Sequence, residues 1–306
     1  MKIRLAILFV LLAFGSTLKA QYYFYNGDYY ENDVVFEVGG SLGGMNCFTD
    51  LGGRKGLGKK FVKDFNLKTT QLSGGMFFSA VYKNEFALRV EASFGNVEAY
   101  DSILVKVKDN SEERFYRNLS FRSPISEVIL VAEFHPFYIF GDYDEDHTPP
   151  SVSPYLVAGV GFFHFNPEAK LGQNWINLQP LHTEGEGFAE YPNVKNYKLS
   201  QVNFPIGIGA RYDVSAIINL RAEIMTRFLQ TDYLDDVSGR YIDPAIFAKY
   251  LSGQDLTNAL LLNDRAIKPQ AETAHPGGIR GNPKNNDAYI TFNIKLGLTL
   301  GRERQH

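Results

Sequence analysis

The chain has 306 residues, a formal net charge of −3 and 21% charged residues. That balance offers no basic surface for nucleic acid and no charge block typical of a disordered tail. With 18 Tyr, 24 Phe and 28 Gly, and a mean hydropathy of −0.20, the composition favours a β-rich chain and excludes a bundle of membrane helices.

At the N-terminus, Lys2 and Arg4 precede an apolar run from Leu5 to Phe14, and Leu18-Lys19-Ala20 follows. The run falls short of the roughly 20 apolar residues of a membrane helix, so residues 1–20 read as a cleaved signal peptide. No Cys stands at the cleavage point, which excludes a lipoprotein. Residues 21–33 are then a short N-terminal periplasmic segment. The only Cys is Cys47, so no intrachain disulfide and no Cys-based metal site can form. An inert thiol inside the fold is expected.

Eight segments alternate with a period of two, which predicts strands with two unlike faces. In the first, Val34, Phe36, Val38 and Leu42 alternate with Val35, Glu37, Gly39 and Ser41. Its GGSLGG run (39–44) is no phosphate loop, because neither Lys-Ser/Thr nor a helix follows; its glycines are expected to let the strand bend or pack closely. Gln71–Tyr82 is a less regular second strand, joined by the tight turn Lys83-Asn84-Glu85 to a third. There, Phe86, Leu88, Val90, Ala92 and Phe94 oppose Ala87, Arg89, Glu91, Ser93 and Gly95. Val128, Leu130, Ala132 and Phe134 oppose Glu127, Ile129, Val131 and Glu133 in the fourth. Tyr155–Phe165 is apolar on both parities.

In the sixth, Val202, Phe204, Ile206 and Ile208 oppose Gln201, Asn203, Gly207, Gly209 and Arg211. Pro205 lies on this second parity and cannot donate to a ladder, so a bulge or a local gap is expected there. Ile218, Leu220, Ala222, Ile224 and Phe228 oppose Asn219, Arg221, Glu223 and Arg227 in the seventh. Even-numbered apolar residues from Ile290 to Leu300 oppose Tyr289, Thr291, Asn293, Lys295, Gly297 and Thr299 in the eighth. Most segments approach the ~9–11 residues that cross a bilayer at a tilt. Links after the second and sixth strands are short, and Phe137–Val152 is intermediate. The other four are long. The last of these predicts helices over Pro244–Leu251 and Leu256–Asn263, with Asp243 as N-cap and Pro244 in the first helical position.

One face is apolar. The other carries Glu37, Arg89, Glu91, Glu127, Glu133, Arg211, Arg221, Glu223, Arg227 and Lys295. On a soluble sandwich these charges are a solvated face. In an eight-stranded barrel they point into a lumen that side chains fill, where opposite signs must pair. The export signal and the alternating link lengths favour the barrel. The expected fold is all-β: an eight-stranded antiparallel transmembrane β-barrel over residues 34–300, with long extracellular loops and a tail over 301–306. Its apolar parity faces outer-membrane lipids.

Three further stretches carry candidate chemistry. Asp232, Asp235, Asp236 and Asp243 are dense enough for Ca²⁺ but lack EF-hand spacing, and such residues more often make Asx-turns and caps. His182, Glu184 and Glu186 read as a loop ordered by Gly185 and Gly187, since no second metal-ligand His is near. His164 and His182 are the histidines a lipid-acting enzyme would use, yet no recognisable motif places a Ser beside either. No cofactor, metal or catalytic residue is therefore assigned, and no enzyme is expected.

RNLSFRSPISEV (Arg117–Val128), PYLVAGVGFFHFNPEAK (Pro154–Lys170), LQPLHTEGEG (Leu178–Gly187), FPIGIGARYDV (Phe204–Val214), TDYLDDVSGRYIDP (Thr231–Pro244) and EVGGSLGGMNCFTDLGG near the start together resemble the PorG-like family of Bacteroidota outer-membrane proteins. These are barrel components of the type IX secretion machinery. The resemblance runs from Val34 to Leu300. It implies a non-enzymatic barrel that partners a periplasmic ring of a lipoprotein and a second ring subunit, and it does not imply the translocation pore. The ending departs from that of most bacterial barrels, because GRERQH follows Leu300 in place of a terminal aromatic. The candidate partner contact is the acidic group Asp142, Asp144, Glu145 and Asp146, ahead of Thr148-Pro149-Pro150, where stiff backbone lowers the entropy lost on docking. A stand-alone envelope-stabilising or adhesive barrel is the alternative, followed by a lipid-acting enzyme.

Overall fold

The computed structural model describes residues 33–52, 66–104, 112–141, 152–267 and 274–300. The signal peptide, nearly all of the N-terminal segment, the tail, and Asp142, Asp144, Glu145 and Asp146 lie outside them.

Eight long strands form the wall: β1 (Val34–Phe48), β2 (Gln71–Tyr82), β3 (Phe86–Tyr100), β4 (Ser120–Phe134), β5 (Val152–Phe165), β8 (Ser200–Asp213), β9 (Ile218–Leu229) and β10 (Ala288–Leu300). A small hairpin, β6 (Glu168–Leu171) with β7 (Asn174–Asn177), lies between β5 and β8 in sequence. The wall runs β3-β2-β1-β10-β9-β8-β5-β4, and pairing of β3 with β4 closes it. Every ladder is antiparallel, and β1 meets β10 with Phe36 opposite Leu300. Closure leaves the wall no free edge, which is what a sheet in lipid requires. Among the described residues no helix is long and apolar enough to cross a membrane.

Strands of 12 to 15 residues exceed the expected crossing length. The outward positions of β3 give the reason. Phe86, Leu88, Val90 and Phe94 are exposed apolar residues, and the next outward positions are Asn96, Glu98 and Tyr100, all half-buried. The strand leaves the apolar belt there and continues into the folded loops. β6 and β7 were not expected. They attach where Arg122 of β4 pairs with Glu168, and the Arg122 guanidinium lies 4.1 Å from the Trp175 ring centroid.

The short links and both ends of the wall lie at one rim. Phe36 stacks on Phe78 at 5.7 Å, and Phe86 and Phe134 meet at the same separation, so aromatics line this rim as they line membrane interfaces. The link after β4 opens with a short helix, Pro136–Phe140. At the other end, Asp243 accepts from the Ala245 amide and starts a 3₁₀ turn over Pro244–Ile246. Helices Phe247–Tyr250 and Gly253–Asn263 follow; the second ends where expected but starts at Gly253, ahead of the expected Leu256.

Two local features of the wall follow from single residues. A Cβ on Gly39 would lie 2.3 Å from the Leu296 carbonyl oxygen, and one on Gly43 would lie 2.0 Å from that of Phe292, so the β1–β10 contact needs glycine. Opposite Pro205 the β5–β8 ladder lapses. Ala158 pairs with Ile206 and Gly161 with Asn203, but Gly159 and Val160 have no partners across this seam. The register is the same on both sides, so the feature is a gap and not a bulge. Pro205 stays opposite Arg227 of β9.

Candidate functional site

The alternation along each strand turns the ten charged residues inward. Glu37, Arg89, Arg221, Arg227 and Lys295 are fully buried, and Glu91, Glu127, Glu133, Arg211 and Glu223 are nearly so. Arg89 on β3 donates to Glu133 of β4 at 2.5 Å and to Glu223 of β9 at 2.7 Å, and its Nε lies 3.1 Å from Glu91. Lys295 of β10 contacts Glu91 and lies 2.7 Å from Glu223. Arg221 of β9 donates to Glu133 at 2.8 Å and also to Glu37. Glu37 in turn lies 2.8 Å from Arg211 of β8, and Arg211 donates to Asp213 at 2.9 Å. These residues form one continuous network from β1, β3, β4, β8, β9 and β10. Each charge inside it has an opposite charge at contact, the condition under which buried ions are tolerable.

Arg227 and Glu127 make a separate group toward the loop end, 3.1 Å apart. Tyr289 and Asn203 both donate to Glu127, at 2.7 Å each, and Ser93 donates at 3.0 Å. Phe77, Tyr155 and Met225 are buried among the charges, and Tyr155 donates to Glu223 at 2.9 Å. The lumen is therefore occupied by side chains along its length. Chemically, it is a brace between opposite walls.

Over the loop end sits a cap. Its apolar floor continues the lumen: Met45, Phe121, Phe163, Phe165, Tyr197, Leu229, Leu234 and Tyr289 form one cluster. A second cluster within the loops holds Leu181, Phe188, Ile242, Phe247, Ala259 and Leu262. Rings stack upward from the floor, Phe165 on Tyr197 at 6.2 Å and Tyr197 on Tyr233 at 4.7 Å.

Polar ties lock the cap. Arg117, the last residue of a short helix (Glu112–Arg117) ahead of β4, donates to both oxygens of Asp101 at 2.8 and 2.9 Å and to the Arg280 and Asp50 carbonyls at 2.5 and 2.9 Å. That one side chain joins three loops. Glu184 accepts from the amides of Ser238 and Gly239 at 2.9 and 2.8 Å and from Arg280 at 3.0 Å. Thr183 and Tyr197 donate to Asp236 at 2.5 and 2.6 Å. PLHTEGEG and TDYLDDVSGRYIDP thus interlock side chain to backbone. Gly185 and Gly187 have φ of +77° and +78°, the left-handed conformation that glycine takes without strain. Burial, with the Asp236 and Glu184 charges, holds the Glu186 carboxyl well above its ordinary value. Burial likewise raises Asp236 to about 6, although Arg280 pulls it down.

The two histidines separate. His182 is half-buried, packs on Phe188 at 5.4 Å, and has its pKa lowered by burial. His164 lies exposed on the outer wall, where the β5–β8 register sets Ser200 opposite it and the Ser200 hydroxyl is 2.9 Å from Nδ1. No motif predicted that pair, because the two residues are adjacent only across strands. It stands open on the wall, with His164 exposed. Arg117, Asp101 and Arg280 were not singled out in the sequence either. Their signal was faint: Arg117 opens one of the family-like segments. Cys47 is free and buried.

A closed antiparallel barrel with an apolar outer wall and a charged, filled interior is a transmembrane barrel of the outer-membrane type. No family model and no curated protein matches the chain. Solved structures align over most of it at low similarity. The N-terminal β-barrel domain of Pseudomonas aeruginosa OprF is 9% identical, with 88% of this chain and 98% of that one covered and a TM-score of 0.33. Ail, the attachment invasion locus protein of Yersinia pestis, solved in complex with the heparin analogue sucrose octasulfate, is 7% identical, with 87% and 97% covered and a TM-score of 0.35. Neisserial surface protein A is 9% identical, with 87% and 97% covered and a TM-score of 0.36.

Proposed function

We propose that this barrel is a non-enzymatic outer-membrane component of the type IX protein secretion machinery, which contacts that machinery's periplasmic lipoprotein ring. The observation that carries the scaffolding part is the filled lumen. A barrel braced by Arg221–Glu133 and Arg89–Glu223 contacts across its interior offers no conduit, so its surfaces must do the work. The assignment to type IX secretion rests on the resemblance of the quoted segments. Two of those, PLHTEGEG and TDYLDDVSGRYIDP, form the interlocked centre of the cap, so their residue types serve a defined structural purpose.

The periplasmic contact is assigned to the link after β4. It is longer than reversal of the chain demands, and it carries Asp142, Asp144, Glu145 and Asp146, an acidic group suited to steering a basic partner surface. Crosslinkers at Asp144 and at Arg240, an exposed residue of the cap, followed by pull-down from mildly solubilised outer membrane, test the proposal. Capture of a periplasmic lipoprotein from Asp144 is expected. Capture from Arg240 but never from Asp144 would sink the assignment.

A second reading, an adhesive or envelope-stabilising barrel, is favoured by the folded cap, which presents a rigid surface away from the short-link rim. Recovery of the barrel alone, with no secretion partner, would favour it. Loss of hydrolysis of outer-membrane lipid on replacing His164 or His182 would instead support an enzyme.

A further inference from the structure

At the short-link rim, the link after β4 places its rings in two rows. Its helix, Pro136–Phe140, begins flush with the turn between β2 and β3, because the His135 amide donates to the Glu85 carbonyl at 2.8 Å. The first row lies in the mouth of the lumen. His135 is buried, its Nε2 lies 3.3 Å from Glu133, and its ring packs on Tyr155 at 5.1 Å and on Tyr138 at 6.4 Å. The second row runs along the outer wall. Phe140 meets Phe134 edge to face at 6.3 Å, and Phe134 meets Phe86 at 5.7 Å. That contact brings the end of the helix back onto the strand before it, so the helix lies along the rim and does not project from it.

Helical residues two apart point to different sides, whereas residues three apart share a side. Tyr138 and Phe140 therefore diverge, one toward the lumen and the other toward the outer wall, and Phe137 shares the side of Phe140. Phe137 is 47% exposed and Phe140 79%, which makes Phe140 the most exposed large apolar side chain among the described residues. A single exposed Phe is ordinary on a protein surface. Here two stand on one side of a helix, and one of them is in ring contact with a wall that faces lipid.

We propose that Pro136–Phe140 is a membrane-interface anchor, with Phe137 and Phe140 inserted among the lipids of the leaflet at the short-link rim. The choice of lipid as the occupant rests on continuity. Phe86, Phe134 and Phe140 form one unbroken row from the apolar belt to the helix, and lipid already covers the belt. An interfacial helix lies in the membrane plane with its apolar side about 5–10 Å into the headgroup and acyl boundary, the level at which barrels carry their aromatic girdles. Held in the mouth by Tyr138 and in the leaflet by Phe140, the helix fixes its end, Gly141, at the headgroup level. The inference rests on the outer-membrane location alone and not on the secretion assignment.

Tryptophan fluorescence of the full chain, folded into phosphatidylcholine vesicles, tests this. Trp175 is the only tryptophan, so Phe140→Trp joined to Trp175→Phe makes a single reporter at the helix. Leu296→Trp on the outer wall and Lys195→Trp, exposed in the cap, each in the same background, give the lipid and water references. Phe140→Trp should emit to the blue of Lys195→Trp. It should lose emission in vesicles of chain-brominated lipid as Leu296→Trp does, and resist iodide present on both sides of the membrane. Emission untouched by brominated lipid overturns the proposal. If iodide then quenches it, the face is open to water or to a protein; if neither quencher reaches it, the chain itself covers the ring. Heat-modifiable migration checks folding, and should Phe140→Trp not fold, Phe137→Trp is read by the same criteria.

Discussion

Arg221 on β9 donates to Glu133 on β4 at 2.8 Å, across the lumen and between strands that share no ladder. Glu133 also receives Arg89 at 2.5 Å, so one carboxylate accepts from two guanidinium groups. Glu133→Ala should therefore leave two buried cations short of charge and cost about 3–5 kcal/mol, the usual loss when one member of a buried pair is removed. Urea unfolding in lipid vesicles measures it. A loss below about 1 kcal/mol, the range of exposed pairs, would show that the network does not brace the wall.

Neighbouring positions on β10 separate the two faces. Leu296 is 53% exposed on the outer wall, whereas Lys295 is fully buried. Leu296→Arg, in the middle of the apolar belt, should cost about 2–4 kcal/mol by placing charge in lipid. Lys295→Leu should also destabilise, because Glu91 and Glu223 lose a cation. Both are read by heat-modifiable migration and by unfolding in vesicles. If neither changes stability, the inside–outside assignment is wrong.

The gap beside Pro205 should be visible in hydrogen exchange. The Gly159 amide, which faces the gap opposite Pro205, should exchange faster than those of Val157 and Gly161, whose strand pairing with β8 is intact, since exchange follows local opening. Uniform protection along β5 would mean that the seam is closed.

The cap should respond to pH in a direction fixed by its buried acids. Asp236 is raised to about 6 and Asp232 to about 9, both above the ordinary aspartate value of about 3.9. Between the unfolded and folded values the folded cap holds protons that the unfolded chain has released, so stability falls as pH rises. Both residues should contribute to the decline from about pH 4 to 6, and Asp232 should continue it from about 6 to 9, with Glu186, Asp235 and Asp287, also held well above their ordinary values, acting in the same direction. Near-ultraviolet circular dichroism of the stacked Tyr197 and Tyr233 rings, recorded through thermal unfolding at a series of pH values, follows it. A cap that grows more stable as pH rises from about 4 to 9 would contradict this reading.

The wall was legible in the sequence because its determinants are local. A period of two assigns each residue to a face, and eight such segments with alternating link lengths suffice for an up-and-down barrel. The inward parity of Glu37, Arg89 and Lys295 followed from that alone, as did the trouble at Pro205. Pairing did not follow. Whether Arg221 meets Glu133 or another of the five lumen acids depends on strand order, shear and the lengths of side chains reaching across the interior, none of which is encoded locally. The cap was less legible still. Arg117 reaches Asp101, Asp50 and Arg280, sites far apart in sequence, and His164 meets Ser200 only through the ladder between β5 and β8. Asp232 looked like another turn residue among Asp235, Asp236 and Asp243. Asp243 does cap a helical turn, but folding buries Asp232, and the charges of Asp50 and Asp235 bear on it. That outcome belongs to tertiary structure, because a loop aspartate's solvation is set by what the rest of the chain packs around it.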